Sequence, residues 1–263
     1  MILDSAQCAQ FKQDGYLILR QMVSSKSCAD MLAQSQAQLQ AQLQATPDIG
    51  PVEYETDLAY PGAPASFEAA GGHTVRRLRQ AYARADCWRD WATDPALASV
   101  LQQLLDEPVV LSLAHHNCVM TKHPNYGTAT GWHRDIRYWS FARNDLISVW
   151  LALGEEHAAN GGLRVLPGSQ RWDIAPEQLD ALDFLRPDVA KNQTLFQQGV
   201  ALDLAAGDVV LFHSGLFHAA GQNTSTQVKH SVVFAYRGAS NPPRAGSKSA
   251  MAGEVKLNPK LSS

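Results

Sequence analysis

Beyond Pro108 the chain offers almost nothing but strands. The runs "VVLSLAHHNCVMT", "DLISVWLALGEE", "GLRVLPGS", "DVVLFHSGLFHAAG" and "HSVVFAYRG" are short, rich in β-branched and aromatic residues, and separated by Gly, Asn and Asp. Such side chains fit a pleated surface and such separators close turns. A helical insert is expected near "APEQLDALDFL". Strands in series without intervening helices argue for an antiparallel sandwich or jelly roll, with whatever helices the chain has packed outside it.

The helices fall in the first hundred residues. "DSAQCAQFKQDG" has a cap at Asp4 or Ser5 and a stop at Gly15, and "YLILR" follows as a strand. "SSKSCADMLAQSQAQLQAQLQA" opens on serine caps and puts Met31, Leu32, Leu39 and Leu43 on one face, so its glutamines clothe a surface helix. "DPALASVLQQLLDE" repeats the pattern with Leu97, Val100, Leu101, Leu104 and Leu105. Residues 46–75, rich in Pro, Gly and Ala, read as a long irregular connection of the kind that covers sites. The expected organisation is a single domain over 1–263: a helix-rich part over 1–107, a jelly-roll core over 108–238, and a tail or lid over 239–263.

Composition excludes several classes. A net charge of −3 leaves no footprint for nucleic acid, and the arginines of "HTVRRLRQAYAR" are a local cluster only. Cys8, Cys28, Cys87 and Cys118 lack C-x-x-C spacing and follow no signal peptide, which suits reduced thiols and a cytoplasmic location. No apolar run approaches the roughly 18 residues that span a bilayer.

The chemistry begins at "GWHRDIRYW". In an extended strand residues two apart share a face, so His133 and Asp135 can hold one ion. Alone, the pair is equally an ordinary feature of a strand. "GDVVLFHSGLFHAAGQN" offers two candidates for a third ligand, His213 and His218. Two histidines and one carboxylate are the facial set of oxygen-activating non-haem iron, and too few for a closed structural zinc site.

Taken together, these motifs resemble the phytanoyl-CoA dioxygenase family of iron(II)/2-oxoglutarate-dependent oxygenases. "FKQDGYLILRQMVS" resembles its N-terminal signature, "WHRD" its first metal motif, "ISVWLAL" with "NGGLRVLPGS" its central strands and turn, and "GDVVLFHSGLFHAAGQN" its last metal motif. The resemblance implies a mostly β fold with flanking helices, a cupin-like double-stranded β-helix whose mouth holds the metal. It also implies iron(II), 2-oxoglutarate and O2 as cofactors, and His133, Asp135 and His218 as the catalytic metal ligands; His213 is then a strand histidine. Halogenases related to the family lack the ligand carboxylate, so Asp135 speaks against halogenation.

For the cosubstrate, the resemblance places Lys229 where the family has an arginine for the distal carboxylate, and Trp150 on the pocket wall. Arg79 and His116 stand near family positions that touch the cosubstrate. The chain departs from the family twice. Lysine gives a point charge in place of a planar fork, and Ala220 stands where a small hydroxyl residue is usual. A hairpin around Asn223 and Thr224 would set Lys229 opposite His218, about 4.5–5.5 Å away at Cα. Arg237, eight strand residues further, would lie about 26 Å off. Asn160, Gly161, Gly162 and the following "PGS" read as turns that shape the fold.

The expected reaction is hydroxylation of an unactivated C–H bond of a small molecule, with succinate and CO2 as coproducts. A cupin-like metalloenzyme that needs no keto acid, and a non-catalytic binder of small molecules, are the alternatives. Tyr138, Trp139, Arg137 and the 46–75 segment are placed at the entrance; Arg137 marks either an anionic group on the substrate or a solvated surface cation.

Overall fold

The computed structural model describes residues 2–43, 51–58 and 60–259. The helical part comprises α1 (Ser5–Asp14), α2 (Ser25–Leu43), α3 (Ala81–Arg84), α4 (Asp86–Ala92) and α5 (Pro95–Leu105), interleaved with β1 (Tyr16–Leu19), β2 (Val52–Tyr54) and β3 (Val75–Arg79). The strand-rich part runs through β4 (Val109–Lys122), β5 (Thr130–His133), β6 (Ile147–Ala152), β7 (Leu163–Val165), α6 (Ala190–Phe196), β8 (Val200–Ala201), β9 (Val209–His213), β10 (His218–Ala220) and β11 (Lys229–Gly238). The chain closes with α7 (Lys248–Met251) and β12 (Glu254–Lys256).

Local chemistry explains the helix ends. Asp4 caps α1 in a reciprocal capping box with Gln7, and Gly15 ends it with φ 78° and an N–H bond to Phe11. Asp94 accepts from the amides of Ala96 and Leu97 ahead of Pro95, which opens α5 where a missing N–H costs nothing. On α2, Met31 and Leu39 are buried and Leu32 is half-buried; the side chain of Leu43 lies outside the described residues.

Every strand pairing is antiparallel. The larger sheet has the order β1-β9-β6-β11-β4-β3-β2, with β12 also on β4, and the smaller sheet β5-β10-β7-β8. Alternation sorts the larger sheet's residues. Ile147, Val149, Leu151, Val209, Leu211, Val232 and Phe234 pack with Phe11, Met31, Trp88 and Leu101 of the helices. Their neighbours Trp150, Ala152, Val210, Phe212 and Val233 pack with Leu163 and Val165 of the smaller sheet. Because helices cover one face and the second sheet the other, β6 and β11 are buried throughout; their centres, residues 149–152 and 232–236, are apolar, while Ser148, Lys229, His230, Ser231 and Arg237 are buried polar exceptions. This is the jelly roll expected, with its helices outside.

Three local expectations need correction. His218 pairs with His133 and Val165, whereas Lys229 pairs with Lys122, so β10 and β11 form no hairpin and belong to different sheets. Antiparallel crossing from sheet to sheet is what wraps a jelly roll, and a local turn cannot reveal it. The "APEQLDALDFL" stretch holds only a 3-10 turn at Pro176–Gln178, and the helix comes later, at α6; Pro187 and the Asp-rich turn before it interrupt any longer helix. The 46–75 segment, described from 51 apart from residue 59, is not wholly irregular: β2 extends the larger sheet. The C-terminal segment also joins the sheet, β12 pairing with β4 at Val110–Ser112.

Candidate metal centre

His133 and His218 are direct cross-strand partners on β5 and β10, their rings 4.2 Å apart. After His133 the backbone stays extended through Arg134 (φ −113°, ψ 141°), which turns the Asp135 side chain back to the same face before a 3-10 turn begins. One ligand atom from each of His133, Asp135 and His218 lies within 4.8 Å of the others. Arg134, pointing the other way, covers the Phe217 ring at 4.9 Å. His213 is elsewhere: its Nδ1 accepts from the amide of Gly215.

Each histidine is oriented by its own strand. Nδ1 of His133 lies 2.9 Å from the carbonyl of Gly131, and Nδ1 of His218 3.1 Å from that of Leu216. A carbonyl only accepts, so Nδ1 carries the proton and Nε2 keeps its lone pair for a cation. Burial holds both imidazoles below the usual histidine range. Asp135 is 2 % exposed; Ser148 Oγ donates to its Oδ2 at 2.7 Å, and His116 Nε2 stands 2.8 Å from its Oδ1. Burial pushes the carboxyl up, but His116 and His218 outweigh it, so Asp135 is an anion far below the ordinary range. The same contact lifts His116 to about 9 against its own burial. Two neutral nitrogens and one anionic oxygen on one side of a point suit a divalent ion that keeps open positions.

His116 reaches Asp135 through a bulge. The register on β4 jumps from Asn117 opposite Phe234 to Ser112 opposite Ala235, leaving Leu113 to His116 unpaired with β11. Bulges of this kind re-aim side chains beside sites. His115, from the same bulge, stacks on Trp139 and meets Ser249 Oγ of the tail at 2.8 Å.

One rung deeper than the histidine pair, Thr130 faces Ala220. Both line a cavity of about 30 Å3 with Arg76, Met120, Thr121, Lys122, Trp150, Gly161 and Lys229. Trp150 and Lys229 thus line one cavity, and Lys229 is already engaged. Its Nζ donates to Glu156 Oε2 at 3.1 Å, Trp150 Nε1 donates to the same carboxylate at 3.0 and 3.2 Å, and Nζ sits 4.9 Å from the indole. Arg79 does not enter: its side chain is 55 % exposed and bonds Glu53 at the edge of β3. Arg76 lines the cavity instead, donating to Thr130 Oγ1 at 2.7 Å and pairing with Glu55 at 3.2 Å. A larger cavity, about 420 Å3, lies between α2 and α4, against Met31, Asp90 and Trp91.

Comparison with known proteins decides the family: the model of the phytanoyl-CoA dioxygenase (PhyH) family matches residues 11–231. The chain belongs to the phytanoyl-CoA dioxygenase family. Among its PhyH relatives is the ectoine dioxygenase of Bordetella parapertussis, 25% identical over 263 residues, covering 93% of this chain and 79% of the relative. The L-proline trans-4-hydroxylase of Streptomyces griseoviridis is 27% identical over 169 residues, 57% of this chain and 62% of that one. The solved structure of EctD from S. alaskensis with bound Fe superposes with TM-score 0.73 at 21% identity, over 92% of this chain and 79% of that one. This PhyH member is thus a dioxygenase of the iron(II)/2-oxoglutarate class, and iron(II), 2-oxoglutarate and O2 are the cofactors its site serves. No helix among its described residues is long and apolar enough to cross a membrane.

Four contributors escaped sequence reasoning. Ser148 shares the inner face of β6 with Trp150, an alternation that could have flagged it. Glu156 is an acid four residues past the end of β6, and Lys122 a cation ending a 14-residue strand. Phe184, whose ring lies 5.2 Å from that of His133, gave no signal.

Proposed function

We propose that the protein hydroxylates a C–H bond of a small molecule that carries an anionic group. The observation that carries this reading is the placement of the His133–Asp135–His218 cluster one strand rung above a cation-lined cavity. His133, Asp135 and His218 would hold iron, and the rung spacing, about 7 Å for two strand residues, suits a five-carbon dicarboxylate reaching from metal to cavity. Iron(II) with 2-oxoglutarate and O2 supplies the oxidising power: one oxygen atom enters the C–H bond, the other enters succinate, and CO2 leaves.

The protein's own part is to orient and to exclude water. Phe184 packs beside His133, and Tyr60 meets the Phe184 ring edge-on at 5.4 Å. Arg137 lies over Phe184 at 3.8 Å, its NH groups bonded to Leu182 and Tyr138 and its Nε buried without a partner. No carboxylate pairs with it among the described residues. A half-buried cation beside the metal ligands, framed by aromatic rings, is suited to hold a substrate carboxylate while the rings shield the reacting carbon.

The test is aerobic incubation with iron(II) and 2-oxoglutarate over a panel of small amino, imino and cyclic acids, measuring succinate and hydroxylated product together. Succinate formation stimulated by an acid, matched by its hydroxylated product and absent in His133→Ala, is the expected result. Stimulation only by uncharged or cationic compounds would reject the anionic substrate.

A further inference from the structure

The cavity beneath the metal centre holds more positive than negative charge, and the excess sits on an unexpected residue. Lys122 and Lys229 face each other as direct partners on β4 and β11, both buried. Like charges placed directly opposite on a sheet repel, and burial removes the water that would screen them. The fold neutralises one of them. Lys229 is held by Glu156, which also receives Trp150 Nε1 and Ser231 Oγ. Arg76 is likewise matched by Glu55, and Glu53 is shared among Arg76, Arg77 and Arg79. Lys122 has no ion pair among the described residues; its Nζ donates only to the carbonyl of Thr128, at 2.8 Å.

We propose that Lys122 is the cation that receives the distal carboxylate of the dicarboxylate cosubstrate, and that Lys229, locked to Glu156, is a fixed strut of the cavity wall. Lys122 is thus a specificity residue of this chain, while the position that resembles the family's anchoring arginine has been taken over by an internal ion pair. The cavity suits this use. Its free space accommodates about two water-sized groups, the bulk of one carboxylate. Gly161 is shaped for the lysine: a Cβ there would stand 3.2 Å from both Cδ and Cε of Lys122. Ala220 adds no side-chain donor to compete for the anion.

The inference rests on 2-oxoglutarate being the cosubstrate, and the experiment separates the two. Binding is measured anaerobically by calorimetry on the full chain loaded with Ni(II), comparing 2-oxoglutarate with 2-oxovalerate, which keeps the keto acid and lacks the distal carboxylate. The wild type should prefer 2-oxoglutarate by about 10- to 100-fold, the range of one charge-assisted hydrogen bond. Lys122→Met should abolish that preference while binding 2-oxovalerate normally. The double variant Glu156→Gln/Lys229→Met, which removes the strut without stranding a buried charge, should retain most of it. Preference that persists in Lys122→Met, or that disappears equally in the double variant, overturns the assignment. Absence of 2-oxoglutarate binding in the wild type would instead remove the cosubstrate reading on which it stands.

Discussion

Oδ1 of Asp135 stands 2.8 Å from Nε2 of His116 and 3.5 Å from Nε2 of His218. One carboxylate oxygen therefore serves both a candidate metal ligand and a bulge histidine outside the ligand set, while Ser148 fixes the other oxygen. Partners of this kind orient a ligating carboxylate, and losing one typically costs 10–100-fold in metal affinity or activity. Ser148→Ala and His116→Ala are each expected to weaken metal binding by about that factor, read by competition with a chelator. Asp135→Ala should lose the metal altogether, and its retention would remove Asp135 from the site.

Among the described residues Arg137 touches aromatic rings and backbone but no acid. If it binds substrate, Arg137→Gln should raise KM for the acidic substrate by about 10- to 100-fold and leave substrate-free conversion of 2-oxoglutarate to succinate near the wild-type rate. A matching fall in both rates would show that Arg137 acts on the metal centre rather than on substrate.

Gly161 has φ +76°, and an added Cβ would also meet the carbonyl of Gly221 at 2.8 Å. Backbone at fixed distance cannot yield as a side-chain tip can. Gly161→Ala should therefore destabilise by about 1–3 kcal/mol and displace Lys122, weakening 2-oxoglutarate binding. A variant of unchanged stability would contradict the close approach.

Burial pushes Lys122 down to about 7, helped by Arg76 and Lys229 and opposed by Glu55. Its folded pKa lies below the unfolded value of about 10.4, so between these limits the unfolded chain binds more protons and stability rises with pH. At pH 7 the free protein bears nearly the full cost of the buried charge. Lys122→Met should raise the Tm of the metal-free protein at pH 7, by about 2–4 °C for each kcal/mol recovered. The lost bond to Thr128 offsets part of the gain. A lower Tm would show that the charge is better solvated than the geometry indicates.

His230, buried and bonded through Nδ1 to Ser35 at 2.9 Å, is pushed down to about 4 by burial, then by His123 and Lys229. Its neutral form is the folded one. The unfolded chain gains the proton first as pH falls through about 6.5, so stability is lost between there and 4 and the loss levels off below. Tm measured from pH 7 to pH 4 should fall less steeply in His230→Gln, and an identical slope would exclude His230 as a contributor.

Much of this architecture was written locally. The strand runs announced themselves because the middles of β6 and β11, covered on both faces, are apolar at 149–152 and 232–236, and α1 and α5 carry their caps in neighbouring residues. His133 and Asp135 share a face because two residues of extended chain guarantee it. The bulge at 113–116 explains why positions around His116 were difficult to assign: its residues have strand composition but no pairing partner on β11, and nothing in their identity reveals the skip.

By itself, then, the order of residues determined the β-rich class, the helical flank, and a two-residue His/Asp unit with a distant histidine to complete it, since propensity, periodicity and short spacings act within a few bonds. Which strands adjoin was decided only when the chain wrapped. Pairing across the two sheets set His218 against His133, parted Lys229 from the histidine and set it against Lys122, and brought Glu156 in to satisfy one lysine of that pair. Charge balance inside a buried cavity depends on distances of a few ångströms between residues remote in the chain, and only packing fixes those.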